Sequence, residues 1–217
     1  MSAVSTPGVT VAVVAKECLP GKVKTRLTPP LSPEGAARVA AASLADTLAV
    51  VQALPAERRV LFYDGEVPPE GATGFDVLHQ PGGGLDERLG FLFDAVEGPL
   101  LLVGMDTPQV SAEALAPVFD DPACDAWFGP AEDGGFWSLY LREPDGALLR
   151  GVPMSQDDTG AVQLERLADA GLDVGMLDTL LDVDTIPDAE RVATLAPDSR
   201  FTTALSAEHT PASGGAR

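Results

Sequence analysis

The segment Pro99-Leu-Leu-Leu-Val-Gly-Met-Asp-Thr-Pro108 constrains this chain more than any other, because an unbroken apolar run stops abruptly at a carboxylate set between a glycine and a proline. A run of this kind, bounded by turn residues, predicts a strand buried on both faces, as in a parallel sheet covered by helices. Asp106 is then delivered at the carboxyl end of that strand, the edge at which open α/β sheets bind ligands. A simpler role stays open at this point, in which the aspartate only folds back on the turn that Pro108 closes.

The flanking sequence alternates in the way such a sheet requires. Val9–Ala15 is a β-branched first strand. Ser32-Pro33-Glu34 supplies a cap, a proline at the first helical position and an acidic first turn for a helix to about Leu54. Strands are expected at Arg59–Tyr63, Phe75–His79, Cys124–Phe128, Phe136–Leu141 and Leu172–Leu177. Helices are expected at Asp86–Val96, Ser111–Phe119, from Asp157 or Asp158 to Ala170, and from Asp188 to Leu195. The pattern predicts a three-layer α/β/α sandwich with a mainly parallel, mixed central sheet. At 217 residues the length suits one domain, drawn here as residues 9–200, with residues 1–8 and 206–217 expected to be disordered tails. No run reaches the 18 or so consecutive apolar residues of a membrane span, and the first residues lack a signal-peptide pattern. A cytoplasmic location is the corresponding expectation. Cys18 and Cys124 are too few for a disulfide framework.

A net charge of −19 argues against nucleic acid and anionic membranes as partners. Against that background the positive charge is oddly placed. All three lysines, Lys16, Lys22 and Lys24, crowd into the loop after the first strand and are followed by Arg26. An anionic ligand such as a polyphosphate, bound by these residues together with Gly21, is the better reading of this island; salt bridges to neighbouring carboxylates are the plainer one. The loop matches neither the Gly-x4-Gly-Lys-Ser/Thr phosphate loop nor Gly-x-Gly-x-x-Gly, so side chains must do the holding.

Three further stretches attract attention. Gln80, followed by Gly82–Gly84, could read a nucleobase edge or form a plain turn. Glu132, Asp133, Gly134 and Gly135 could grip substrate hydroxyls and admit a flat ring, or merely cap a turn. A second acidic motif, Asp182-Val-Asp184, closes the set.

The combination of Pro20–Leu27, Gly104–Pro108, Gly129–Gly135 and Asp182–Thr185 resembles the DUF2064 family, the rSAM/selenodomain-associated transferases of the GT-A-type nucleotide-diphospho-sugar transferase superfamily. The chain is also similar to the 2-phospho-lactate guanylyltransferases through Lys24-Thr-Arg-Leu27 and Pro30-Leu-Ser-Pro33. More distantly it shares the Asp-x-Pro pattern of the molybdenum-cofactor guanylyltransferases. The resemblance implies a GT-A-like nucleotide-binding domain and a divalent metal, Mg²⁺ or Mn²⁺, held by Asp106 and by Asp184 or Asp182. Met105, the Phe136-Trp137 pair and Met154–Asp157 depart from the family pattern. These departures put the acceptor in doubt more than the metal.

Two carboxylates from separate strand ends suffice for Mg²⁺, which keeps waters and substrate phosphate oxygens as its other ligands. Phosphoryl chemistry then rests on positioning and charge stabilisation, for which Lys24 and Arg26 are placed, with Lys16 and Lys22 beside them. The leading expectation is nucleotidyl transfer from a nucleoside triphosphate to a small phosphorylated acceptor, releasing pyrophosphate. Glycosyl transfer from a nucleotide sugar, with Asp133 activating an acceptor hydroxyl, is the second, and a non-catalytic nucleotide-binding scaffold the third.

Overall fold

A computed structural model describes residues 8–121 and 124–209. Seven strands form one sheet in the order β3-β2-β1-β4-β6-β5-β7. They are β1 (Thr10–Lys16), β2 (Arg58–Asp64), β3 (Asp76–His79), β4 (Leu100–Gly104), β5 (Ala126–Pro130), β6 (Phe136–Leu141) and β7 (Val174–Met176). The helices are α1 (Pro33–Ala53), α2 (Leu85–Ala95), α3 (Ala112–Asp120), α4 (Thr159–Asp169), α5 (Ile186–Leu195) and α6 (Arg200–His209). All strand pairings are parallel except those of β6, which runs against both β4 and β5. The expected three-layer, mainly parallel architecture is therefore the observed one.

The apolar runs follow from burial on both faces. Along β1 and β4, Val11, Val13, Ala15, Leu101 and Val103 pack with Leu44, Leu48 and Val51 of α1 and Leu115 and Val118 of α3. The alternate residues Ala12, Leu100 and Leu102 pack on the other side with Leu89, Leu92 and Phe93 of α2 and Leu167 of α4. Pleating sends successive side chains to opposite faces, so a strand covered twice must be apolar throughout. A third cluster joins Ala36 and Val39 of α1 to Ala189 and Val192 of α5 and Phe201 and Leu205 of α6. Covered on two sides, α1 is apolar enough for its 21 residues to match a membrane span in length and composition, yet half of it is buried within the fold.

The expected tail at 206–217 is corrected in its first part. Ser206–His209 belong to α6, whose N-terminus is held by Asp46 of α1, accepting from the Arg200 and Phe201 amides at 3.2 and 2.9 Å. Glu208 near its other end accepts two hydrogen bonds from Arg38, at 2.7 and 2.9 Å. The packed body thus runs beyond residue 200. Residues 1–7 and 210–217, where the remaining tail expectations fall, lie outside the described residues. The expected strand at Cys124–Phe128 begins two residues later, at Ala126.

Strand register lines up one edge. Lys16 pairs with Asp64, Tyr63 with His79, and Val14 with Gly104, so the carboxyl ends of β1 to β4 open on the same side. Because β6 is reversed, the turn from β5 into β6 opens there too.

Candidate active site

The acidic residues converge at this edge because backbone hydrogen bonds stitch their motifs together. The Val183 amide donates to the Asp106 carbonyl at 3.0 Å, and the Gln109 side-chain amide donates to the Leu181 carbonyl at 2.7 Å. In the extended 181–184 segment, Leu181 and Val183 are buried in the core shared with α5 and α6. Asp182 and Asp184 alternate with them and line the pocket at the sheet edge. The Met105 carbonyl accepts from Ser43 Oγ of α1 at 2.7 Å, fixing the turn that bears Asp106 from behind.

Asp106 is not a turn former. The turn is closed by the Val110 amide donating to the Thr107 carbonyl at 3.0 Å. The Asp106 carboxylate instead reaches Lys24 Nζ at 2.6 Å. The same ammonium lies 3.4 Å from Asp184, and Arg26 meets the other Asp184 oxygen at 3.3 Å. Lys24 is 9% exposed, whereas Asp106 and Asp184 are 46% and 44% exposed. Its backbone takes φ +46°, a left-handed conformation that a lysine adopts only at a cost. Burial works to lower the Lys24 pKa, but the charge and hydrogen bond of Asp106, followed by the charges of Asp184 and Asp182, outweigh it and leave the pKa raised. The plainer reading of the basic island is thus the observed one. Lys24 and Arg26 form salt bridges, and they do so at the mouth of a cavity.

Two cavities share this point. One, of about 240 Å³, is a groove lined by Lys16, Lys22, Lys24, Arg26, Asp106 and Asp184. The other, of about 360 Å³, continues from Lys16, Asp106 and Asp184 past Asp182, Asp133 and Gly135 to Gln80 and Arg88. The Asp182 carboxyl is pushed up to about 7 by burial first, then by the charges of Asp106 and Asp133, with Lys24 opposing. Cys18, beside the basic loop, is raised to about 11, chiefly by burial and next by Asp106.

Several expected site residues lie elsewhere. Glu132 faces Arg191 of α5, with contacts of 3.0 and 3.2 Å, and lines neither cavity. Gly134, at φ +87°, serves close packing, since a Cβ there would collide with the Asp157 backbone carbonyl. Its own carbonyl accepts from the Gly160 amide at 2.8 Å. Gly21, at φ +73°, shapes the turn closed by the Lys22 amide and the Leu19 carbonyl, and lies outside the groove lining. Gln80 does reach the pocket, but its amide nitrogen donates to the carbonyls of Ala15 and Phe62 at 3.1 and 2.9 Å. Asp133 and Gly135 line the pocket, with the Gly135 amide donating to Asp133 at 2.8 Å. Arg88 was missed. The signal was available, because Leu85, Arg88 and Leu89 share one helical face and all three line the pocket.

Asp106 and Asp184 already share one cation, the Lys24 ammonium, and hard carboxylate oxygens suit Mg²⁺ or Mn²⁺. No cluster of three or more His, Cys, Asp or Glu side chains suited to a metal is found among the described residues. The donor set therefore fits an ion bound by two carboxylates and completed by substrate oxygens, rather than one enclosed by protein.

No curated protein matches this chain. Among solved structures, a protein from Desulfovibrio desulfuricans G20 that carries a provisional nucleotide-diphospho-sugar transferase name superposes with a TM-score of 0.82, at 25% identity over 92% of this chain and 94% of that one. A cytidylyltransferase from Leptospira borgpetersenii superposes at 0.58, with 12% identity over 92% and 93% of the two chains. Rv0371c from Mycobacterium tuberculosis H37Rv, in complex with manganese, superposes at 0.54, with 23% identity over 87% and 98%. The last two attest the fold alone. The model of a family of uncharacterized proteins conserved in bacteria, DUF2064, matches residues 47–156, half of the chain, and this protein belongs to that family.

Proposed function

We propose that the protein is a nucleotide-using transferase that moves a nucleotidyl group from a nucleoside triphosphate to a small phosphorylated acceptor, releasing pyrophosphate. The observation that carries this reading is Lys24 Nζ between Asp106 and Asp184, at 2.6 and 3.4 Å, where a groove bearing four basic side chains opens into a larger pocket. Positive charge concentrated there stabilises negative charge spread over phosphate oxygens, which is most of what phosphoryl transfer asks of a protein. The fold shared with a cytidylyltransferase supports the same class.

In this reading Lys16, Lys22, Lys24 and Arg26 bind the β- and γ-phosphates. Lys24 exchanges its carboxylate partners for phosphate oxygens when the nucleotide arrives. Asp106 and Asp184 would hold Mg²⁺ or Mn²⁺, which would supply neutralising charge for the pyrophosphate. Asp133 and the Gly135 backbone face the pocket and orient the acceptor. An acceptor phosphate oxygen attacks the α-phosphorus, the bond from that phosphorus to the β-phosphate bridging oxygen breaks, and pyrophosphate leaves through the basic groove.

Glycosyl transfer from a nucleotide sugar is the second reading. It is favoured by the name carried by the Desulfovibrio relative and by Asp133 on the pocket wall. One screen separates them: the purified chain with Mg²⁺ or Mn²⁺ against nucleoside triphosphates and nucleotide sugars, each with pooled small acceptors. Pyrophosphate release supports the first, and nucleoside diphosphate release with sugar transfer supports the second. Absence of any metal-supported nucleotide binding would overturn both in favour of a scaffold.

A further inference from the structure

Arg88 takes no part in the acid or phosphate chemistry described above, yet it lines the larger pocket and not the basic groove. Its only side-chain hydrogen bond among the described residues runs from Nη1 to Gln80 Oε1, at 2.7 Å. The same Nη1 forms an ion pair with Asp64 at 3.6 Å, in which Arg88 is 24% and Asp64 59% exposed. Arg88 Nε is buried with no partner. A guanidinium offers five N–H groups in a planar fork; Nη1 is engaged by Gln80 and Asp64, and Nη2 makes no hydrogen bond among the described residues.

Gln80 explains how the fork is held. Its backbone amide donates to the Tyr63 carbonyl at 2.9 Å, and both side-chain protons go to the carbonyls that end β1 and β2, at Ala15 and Phe62. Only Oε1 remains, and it accepts from Arg88. Gln80 therefore has no donor left for a base edge, and it acts as a positioning residue for the arginine.

Lys16, Met105, Asp106 and Asp184 border both cavities. A nucleotide whose phosphates occupy the groove therefore runs its nucleoside into the pocket. Asp133 and Asp182 give that pocket an acidic lining, whereas Leu85 and Leu89 line it from the α2 face that carries Arg88. A flat, neutral ring belongs against that apolar face.

Resting on the nucleotide-using reading above, we propose that Arg88, positioned by Gln80, is the residue that selects the nucleobase, and that it selects one presenting two adjacent acceptors. Guanine does so with O6 and N7, and cytosine with O2 and N3; adenine at N1 and N7, and uracil at O2 and O4, place a donor beside the acceptor. An arginine fork matches the first pair and leaves an unmet donor on the second.

The test uses Arg88→Met and Arg88→Lys in the full chain with Mn²⁺. Binding of GTP, CTP, ATP, UTP and inorganic tripolyphosphate is measured by calorimetry, with unchanged circular dichroism and melting as the control for folding. The wild-type chain is expected to bind GTP or CTP about ten- to hundredfold tighter than ATP and UTP, the value of one well-made bidentate contact. Which of the two is tighter identifies the base. In both variants that preference collapses while tripolyphosphate affinity stays unchanged, lysine failing because it keeps the charge and loses the fork. The proposal is overturned if the wild-type chain shows no preference, if the preference survives in Arg88→Met, or if tripolyphosphate weakens as much as GTP. Failure of the nucleotide-using reading looks different, because the wild-type chain would then bind neither tripolyphosphate nor any nucleotide, and this inference would fall with it.

Discussion

If the Lys24 ammonium stands where a divalent cation would bind, removing its charge should strengthen metal binding to the free protein while weakening the metal–nucleotide complex. The perturbation is Lys24→Met, which keeps the length and apolar stem of the side chain and deletes the charge. The ammonium contacts Asp106 at 2.6 Å and Asp184 at 3.4 Å. Two unit charges near a protein surface attract by about 4 kcal/mol at about 4 Å, but desolvation of the lysine and the half-exposed state of both carboxylates leave far less as net stabilisation. A hydrogen bond involving a charged group is worth about 1.5–3 kcal/mol net. The variant should therefore melt about 3–12 °C lower without metal, at about 2–4 °C per kcal/mol for a chain of this size. The same 1.5–3 kcal/mol no longer has to be given up when Mn²⁺ enters, so its affinity for the nucleotide-free variant should rise about ten- to hundredfold. Titration calorimetry with Mn²⁺ alone, and then with Mn²⁺ and a nucleoside triphosphate, reads both effects. Mn²⁺ affinity that is unchanged or lower in Lys24→Met would refute the shared position, whatever happens to the nucleotide.

Three other expectations follow from the same geometry. The folded-state pKa of Asp182, at about 7, lies above its unfolded value, so the protonated form is favoured by folding; the metal-free protein should lose stability as pH rises from about 4 through 7. Melting curves of Asp182→Asn should lack that decline, and an identical decline in the variant would assign it elsewhere. Gly134→Ala places a methyl against the Asp157 carbonyl at φ +87° and should cost about 1–3 kcal/mol in urea denaturation, a cost that a neutral result would rule out. With its pKa raised from 9.0 to about 11, Cys18 should react with iodoacetamide at pH 8 about a hundredfold more slowly than an ordinary thiol, as followed by peptide mass spectrometry; labelling at the ordinary rate would show a thiolate that the geometry does not provide.

The sheet was legible because double burial leaves no freedom in composition: Leu100–Val103 had to be apolar at every position, and the sequence shows it. Helix α6 was not, because its apolar contribution to the core comes mainly from Phe201 and Leu205, while its ends are held by Asp46 and Arg38, more than 150 residues away in sequence. The same distance effect divides the Gly129–Gly135 turn. Glu132 and Asp133 are adjacent acids of similar chemistry, and only the arrival of Arg191 from α5 decides that the first is tied down and the second faces the pocket. Gly134 and Gly135 separate for a like reason: one meets the Asp157 carbonyl, while the other lines the cavity. Local sequence fixes that a turn exists, and the packing of distant elements fixes which way each side chain faces.

Asp106, Asp182 and Asp184, with Asp133 beside them, are brought to one sheet edge in a chain whose net charge is −19. Carboxylates so placed repel each other, and the raised Asp182 pKa records that repulsion together with burial. A fold that must keep the cluster intact before its ligand arrives needs a cation supplied by the chain itself. Only a buried side chain can reach between the acids, and only a flexible one can later move to a phosphate. Lysine meets both demands in a way that arginine, with its rigid planar head, does not. This accounts for Lys24 being the buried member of the basic island, held in a left-handed conformation, while Arg26 remains 74% exposed at the rim. The strain at Lys24 and the crowding of the acids are then two halves of one arrangement. Each is tolerable because of the other, and in the proposed function both would be relieved when phosphate and metal replace the single ammonium.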